Sequence, residues 1–224
     1  MLESTRFEDA VPVRWRGVGG LPASAPAPDG RGSGSSVSSR RLVAYFTEMD
    51  DPAVIGIQGH AGREAARQAI RAAIVAELAA MSGLPPQRIA LHGAPGEVPF
   101  ALLDAPGGQH RAWLAISHDG ALSVAAISLR GAVGIDVQRI LDIPDWLPLA
   151  RDYLGPDLAA ALAALPAPER PQALARAWSE REARLKYLGR ELVEWRSEDE
   201  RAMSACRCLS LELPEGYAGA LTLA

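Results

Sequence analysis

The chain has 224 residues, of which 48% are hydrophobic and 22% are charged, and its formal net charge at pH 7 is -4. This length suffices for a sizeable core in one domain or two small ones, and the slight acidity gives no reason to expect nucleic acid as a partner. No apolar run is long enough to cross a membrane, and the acidic N-terminus lacks the apolar segment of a signal peptide. We therefore expect a cytoplasmic protein in which Cys206 and Cys208 are free thiols.

Residues 1–40 differ in composition from the rest of the chain. Gly, Pro, Ser and Ala dominate 19–39, and such a segment offers few large apolar side chains for burial. We expect a flexible leader over 1–40.

The predicted elements follow in order after the leader. Alternating apolar residues over 42–46 predict a first strand, and apolar residues at every fourth position predict a helix over 61–82, which Gly83 and Pro85 end. Later strands are predicted over 88–91, 112–116, 122–129, 132–137, 206–213 and 217–223, and later helices over 158–165 and 171–188. A helix followed by strands thus occurs twice, which indicates an α+β fold.

Residues 134–138, Gly-Ile-Asp-Val-Gln, predict a strand with acidic chemistry on one face. Asp136 and Gln138 point to the same side of such a strand, because side chains alternate between its two faces. Asp136 on its own would more often be a strand-end residue than a functional one. Its meaning therefore depends on a partner elsewhere in the chain.

Residues 178–186, Trp-Ser-Glu-Arg-Glu-Ala-Arg-Leu-Lys, predict that partner on a helix. Glu182 and Lys186 are four residues apart and lie along one helical stripe, and Trp178 one turn earlier packs in a way that positions Glu182. Mg2+ is commonly held by one or two carboxylates plus substrate phosphates, and a nearby lysine can neutralise charge on those phosphates. The two segments together predict a site for a metal-bound pyrophosphate.

In this order and spacing, the two segments resemble the 4'-phosphopantetheinyl transferase superfamily, specifically the larger type that activates peptide and polyketide synthases. That family has Gly-(Val/Ile)-Asp-x-(Glu or other), then (Trp/Phe)-(Ser/Thr/Cys)-x-Lys-Glu-(Ala/Ser)-x-x-Lys. A third block, Ala-Ile-Ser-His-Asp-Gly at 115–120, resembles the family's Asn-Ile-Ser-His segment, which binds the coenzyme A phosphates. The resemblance is densest over 117–189.

Three positions depart from the family pattern. Arg181 stands where relatives usually have Lys, and Gln138 stands where many carry a third acid. The Gly-Lys-Pro segment of the family is present only as Gly-Glu-Val-Pro at 96–99, without its lysine.

The resemblance implies a fold of two similar α+β halves that pack as a pseudo-dimer, with coenzyme A bound at their junction. We accordingly expect an N-terminal half over 41–130 and a C-terminal half over 131–224. The implied reaction is Mg2+-dependent transfer of the 4'-phosphopantetheine arm of coenzyme A to a serine of an apo acyl or peptidyl carrier protein, releasing 3',5'-ADP. Such an enzyme would serve secondary metabolite biosynthesis, and we expect a monomer that acts without nucleic acid or a membrane.

The resemblance also implies residue roles. Asp136 and Glu182 hold Mg2+, Gln138 is a candidate third ligand, Glu182 also takes the serine proton, and Lys186 stabilises the departing phosphate. The predicted phosphate-binding residues are Ser117, His118, Arg63, Arg67 and Lys186. A solvated helical face explains the two arginines equally well, and the other histidines, His60, His92 and His110, receive no role.

Two alternatives stay open at this point. One is a catalytically weakened module of the same fold that binds coenzyme A or a carrier protein, which the missing lysine and the neutral Gln138 make conceivable. The other is a coenzyme A-dependent acyltransferase that leaves the pyrophosphate intact, although it would give Asp136, Glu182 and Lys186 no phosphoryl transfer to perform.

Overall fold

The computed structural model of the protein describes residues 10–16, 52–60, 62–94 and 96–224. Its first part is a long helix with the strands on which it packs. The helix buries Ile70, Ile74 and Leu78 and ends at Gly83, which adopts a left-handed conformation with φ 67° and donates its backbone N–H to Ala79. The elements are β1 (Arg14–Arg16), β2 (Ala53–Gln58), α1 (Arg63–Ser82), β3 (Ile89–His92), β4 (Phe100–Ala105), β5 (Gly108–Asp119) and β6 (Leu122–Ser128).

The second part places four helices between a strand and a closing pair of strands. Its elements are β7 (Gly134–Arg139), α2 (Trp146–Leu154), α3 (Pro156–Ala163), α4 (Arg170–Tyr187), α5 (Glu200–Ser204), β8 (Arg207–Ser210) and β9 (Tyr217–Leu223). Short 3-10 turns occur at Pro86–Arg88 and Ala167–Glu169. None of the helices in the described ranges has the length and apolar character that a membrane span requires.

The described strands form two sheets that share a core. The larger sheet has the order β1-β2-β6-β5-β4-β3, and the smaller has the order β7-β9-β8. β1 pairs with β2 in parallel, and all the other pairs are antiparallel. One face of the larger sheet packs on α1, while Val124 and Ala126 on the opposite face pack against Ile135 and Val137 of β7. The mixed α+β class predicted from the sequence is confirmed; the similarity of the two halves and the boundary at 130 remain predictions.

Residues 10–16 contradict part of the expected leader, because they are built into the fold. Val13 is buried in the core shared by the two sheets, and Val11 forms a parallel bridge to Leu211. Arg14 and Arg16 both donate to the buried carboxylate of Glu77 on α1, the first at 2.8 Å. The rest of the expected leader, like the strand predicted over 42–46, lies outside the described residues.

Five of the described elements were not predicted from the sequence, namely β1, β2, β4, α2 and α5. β4 buries Ala101, Leu103 and Ala105 on one face, but Phe100 and Leu102 on its other, less buried face are apolar too, so the sequence lacks a clear alternation. The helix α2 contains Pro148, which sequence patterns treat as a helix breaker. Pro148 lies in the first turn of α2, where a missing backbone N–H leaves no hydrogen bond unmade.

Candidate active site

The acid and lysine residues of the two motifs meet where α4 crosses β7. The Lys186 ammonium is 2.7 Å from Asp136 Oδ1 and 4.0 Å from Glu182 Oε2. Asp136 is 2% exposed, so its carboxylate is held almost entirely by protein groups. The predicted convergence of these three side chains is therefore found in the structure, and we call them the acid–lysine cluster.

Gly134 allows the helix and the strand to come this close. A Cβ atom at this position would lie 1.9 Å from the carbonyl oxygen of Ala183 and 2.7 Å from the backbone nitrogen of Tyr187. Both are backbone atoms of α4 and cannot move aside as the end of a side chain could. The absence of a side chain at Gly134 thus sets the distance between Asp136 and the helix that carries its partners.

Asp136 is also supported by two neutral side chains. The Ser117 hydroxyl donates to Asp136 Oδ1 at 2.6 Å and accepts the backbone N–H of Val137 at 3.3 Å. The Gln138 amide donates to Asp136 Oδ2 at 3.0 Å. Ser117, which the resemblance assigns to phosphate binding, therefore has a carboxylate as its partner. The amide oxygen of Gln138 is a group that can ligate a hard cation.

Glu182 is a weaker acid than an ordinary glutamate. Desolvation raises the pKa of Glu182, and the neighbouring Asp136 raises it further, while Lys186 and a hydrogen bond from Trp178 lower it. Burial is the largest cause of this shift, and Asp136 raises the pKa more than Lys186 lowers it, so one lysine does not balance the two carboxylates. Trp178, predicted only to pack, packs against Tyr153 with ring centroids 5.6 Å apart and also makes this hydrogen bond to Glu182.

That imbalance fits a divalent cation. The two carboxylates and the Gln138 amide offer oxygen ligands, and the carboxylates supply the excess negative charge that a Mg2+ site requires. A cleft beside Lys186 is open to solvent. Among the described residues, no three or more His, Cys, Asp or Glu side chains are grouped so that they could hold a metal ion. The site thus suits an ion that takes its remaining ligands from substrate phosphates and water.

The adjacent residues Ser117 and His118 face opposite sides of β5 and so belong to different clusters. Ser117 points toward β7, whereas His118 lies on the side of the sheet that packs on α1. Positive charges surround the His118 ring. Its pKa is lowered to about 4, chiefly by desolvation and then by His60, Lys186, Arg67 and Arg63. His118 is therefore neutral at pH 7.

Arg63 and Arg67 lie in the first two turns of α1 with exposed side chains. The N-terminus of a helix presents backbone N–H groups and a positive dipole end, both of which favour an anion. The structure thus brings the predicted residues Arg63, Arg67, His118 and Lys186 into one basic cluster, with Lys186 shared between the basic cluster and the acid–lysine cluster.

A histidine that received no role from the sequence belongs to this region. His60, which is 8% exposed, lies within 2.7 Å of the Ser123 hydroxyl, and the same hydroxyl is 2.7 Å from Nδ1 of His118. His60 follows β2, whereas Ser123 pairs directly with His118 across β6 and β5. Only the strand pairing connects these positions, so no spacing in the sequence indicates them.

The segment that lacks the family's lysine lies beside Lys186. A cleft of about 230 Å³ is bounded by Gly96, Val98 and Pro99 on one side and by Lys186 and Gly189 on the other. Glu97 accepts the backbone N–H of Ala94 at 3.0 Å and so stabilises its own turn. Lys186 is the member of the acid–lysine cluster that lines this cleft.

Arg181, the other departure from the family pattern, is 5% exposed and lies away from the acid–lysine cluster. Its guanidinium donates to the carbonyl oxygen of Val193 at 3.3 Å and contacts the sulfur of Met203 at 3.8 Å. It therefore anchors the segment after α4 to the helix.

The fold and this site define a class: an α+β protein with paired carboxylates and a lysine beside a basic cluster, as a phosphate-transferring enzyme requires. Residues 132–210 match the family model of the 4'-phosphopantetheinyl transferase superfamily, and this match confirms the resemblance predicted from the sequence. The segment contains Asp136, Gln138, Glu182 and Lys186.

A relative supports the same assignment. A Synechocystis sp. protein named "Putative 4'-phosphopantetheinyl transferase" is 30% identical over 78 residues. That alignment covers 35% of this chain and 32% of the relative, about a third of each. The similarity supports a transferase of this superfamily.

Proposed function

We propose that this protein transfers the 4'-phosphopantetheine arm of coenzyme A to a serine hydroxyl of an apo acyl or peptidyl carrier protein, with Mg2+, and releases 3',5'-ADP. The observation that carries the proposal is that the carboxylates of Asp136 and Glu182 both lie within 4.0 Å of the Lys186 ammonium. The superfamily match over 132–210 supports it.

In the proposed reaction, Asp136 and Glu182 hold the metal, with Gln138 as a further oxygen ligand. Mg2+, when bound, supplies charge that polarises the attacked phosphorus and balances the leaving group. Ser117 and the backbone of Val137 fix the orientation of Asp136 through the hydrogen bonds described above. The carboxylate therefore needs little rearrangement to serve as a ligand.

Glu182 is also the proposed general base. A serine hydroxyl is a weak nucleophile and needs a group that removes its proton. Burial and the nearby Asp136 raise the pKa of Glu182, which brings it closer to the range in which a carboxylate is an effective base. The oxygen of the serine then bonds to phosphorus as the bond from phosphorus to the oxygen of 3',5'-ADP breaks.

Lys186 is proposed to stabilise that leaving oxygen and the phosphates next to it. Its ammonium contacts Asp136 and also lies close enough to His118 to lower the pKa of the imidazole. Lys186 thus belongs to both the acid–lysine cluster and the basic cluster. This position suits a substrate whose pyrophosphate lies at the metal and whose third phosphate lies at the basic cluster. Arg63, Arg67 and His118 are proposed to bind that third phosphate.

The test is mass spectrometry of several apo carrier proteins after incubation with the purified protein, coenzyme A and Mg2+. We expect one carrier to gain the mass of a phosphopantetheine arm, and we expect Asp136→Asn and Glu182→Gln to abolish the gain. Glu180→Gln is the matched control, because Glu180 lies on the same helix and pairs with Arg184 at 3.4 Å rather than with the cluster.

Binding of coenzyme A without modification of any carrier would favour the binding module instead. A Glu182→Gln variant that modifies a carrier at the wild-type rate would disprove the role of Glu182. Modification by the wild-type protein without any divalent ion would disprove the metal requirement.

A further inference from the structure

Two side chains of the larger sheet and one from the loop after β2 form a continuous series of hydrogen bonds. His60 Nε2 is 2.7 Å from the Ser123 hydroxyl, and this hydroxyl is 2.7 Å from His118 Nδ1. Ser123 is fully buried, and His60 is 8% exposed. These hydrogen bonds therefore lead from the interior of the protein to the His118 imidazole at the edge of the basic cluster.

One hydroxyl between two imidazoles can make both contacts only in a fixed direction. The Ser123 hydroxyl has a single proton, so it donates to one ring and accepts from the other. In the forward direction, His60 donates to Ser123 and Ser123 donates to His118. In the reversed direction, His118 donates to Ser123 and Ser123 donates to His60. The two directions place the ring protons of His60 and His118 on different nitrogens.

The second ring nitrogen of His60, Nδ1, decides between the two directions. Nδ1 of His60 is buried and has no hydrogen-bond partner among the described residues. In the reversed direction a neutral His60 would carry its proton on this nitrogen, which would bury an unpaired N–H donor. In the forward direction the proton is on Nε2, where Ser123 accepts it. A protonated His60 would also donate from Nε2, so the forward direction is favoured in either state.

The forward direction determines what His118 offers to a ligand. When Nδ1 accepts the proton of Ser123, the single ring proton of a neutral imidazole must be on Nε2. Nε2–H is a hydrogen-bond donor, which a phosphate oxygen can accept. A neutral His118 with the opposite tautomer would present a lone pair to a phosphate, and the two would repel.

We propose that His60 and Ser123 are positioning residues that hold His118 in the Nε2–H tautomer, so that it donates a hydrogen bond to a phosphate of the substrate. This inference rests on the proposed coenzyme A chemistry only for the identity of the phosphate. The tautomer is a property of the protein alone. It can therefore be tested without transfer activity.

The first experiment is long-range 1H–15N NMR of the histidine rings in the metal-free protein at pH 7. We expect His118 to show the Nε2–H pattern in the wild type and a mixture of tautomers in Ser123→Ala. His60→Phe should give a similar mixture, whereas His60→Gln should keep the wild-type pattern, because a glutamine amide nitrogen can replace Nε2 as the donor. His92→Gln is the matched control, since His92 stacks on Phe100 and lies on β3, an edge strand of the larger sheet.

The second experiment titrates adenosine 3',5'-bisphosphate into the same proteins and follows the His118 signals. We expect Ser123→Ala and His60→Phe to weaken binding by about 3- to 10-fold, as the loss of a neutral hydrogen bond would. His60→Gln and His92→Gln should bind as the wild type does. In carrier modification, the same loss should raise KM for coenzyme A while kcat changes little.

The outcomes separate the two proposals. A wild-type His118 with its proton on Nδ1, or a tautomer unchanged in both Ser123→Ala and His60→Phe, would overturn the inference whatever the activity. The expected tautomers with no binding of the bisphosphate would overturn the phosphate contact. The expected tautomers and binding without carrier modification would support the positioning role and count against the proposed transfer reaction alone.

Discussion

Replacement of Gly134 by alanine should damage both the stability and the active site of this protein. The new Cβ atom would lie 1.9 Å from the carbonyl oxygen of Ala183, and Cβ atoms in proteins essentially never come closer than 3.0 Å to such a neighbour. The strand and helix α4 must therefore separate locally by about 1.1 Å, the difference between these two distances. Asp136 lies on the strand, and Glu182 and Lys186 lie on the helix.

The magnitude follows from this displacement. Forcing an extra methyl group into a packed interior costs about 1–3 kcal/mol, and we expect about 3 kcal/mol because backbone lies on both sides of the contact. In a chain of this size that corresponds to a fall in melting temperature of roughly 6–12 °C. A misplacement of about 1 Å between catalytic groups can reduce a rate on the order of 100-fold.

Thermal unfolding and carrier modification are the two assays. Gly131→Ala is the matched control, because Gly131 lies in the turn before the same strand, and a Cβ atom there would meet nothing within 4 Å. The control should melt within about 2 °C of the wild type, as most surface substitutions do, and should keep its activity. A Gly134→Ala protein that melts and reacts as the control does would refute the argument that this glycine sets the distance between the strand and the helix.

Three further outcomes are expected. In metal-free protein, 13C NMR should give Glu182 a pKa above the ordinary glutamate range, and Lys186→Met should raise the pKa further, because the lysine favours the ionised carboxylate; an unchanged pKa would contradict the proximity of the two groups. A Mg2+ titration of carrier modification should show a lower half-maximal concentration for Gln138→Glu, which adds a charge, and substantial activity for Gln138→Ala; an inactive alanine variant would show that the side chain does more than tune metal affinity. Removal of residues 1–16 should cost about 2 kcal/mol or more, because it exposes core surface and leaves Glu77 without its arginines; an unchanged melting temperature would show that β1 adds nothing to stability.

The sequence by itself determined the acid–lysine cluster. Asp136 and Gln138 alternate along a strand, and Glu182 and Lys186 repeat along a helix, so local periodicity defined the face on which each lies. The spacing of the family motif supplied the remaining information, namely that the two faces meet. The mixed α+β class followed in the same way from periods of two and 3.6, which are properties of the backbone within one element.

Tertiary structure alone decided the partners of Ser117 and His118. These neighbours in sequence were assigned a common role, but strand alternation sends Ser117 to the carboxylate of Asp136 and His118 to the basic cluster. Which face of β5 meets β7 is set by the packing of two sheets, and no local pattern contains that choice.

Long-range pairing also decided the positions that the sequence left without a role. His60 is linked to His118 only because Ser123 lies between them on a paired strand. The N-terminal residues are part of the fold because Arg14 pairs with Glu77 and Val13 packs in the core between the sheets. Composition marked that N-terminal region as having little to bury, which was wrong for Val13. A short strand is stabilised by the surface it joins, and that surface forms only once the rest of the chain has folded.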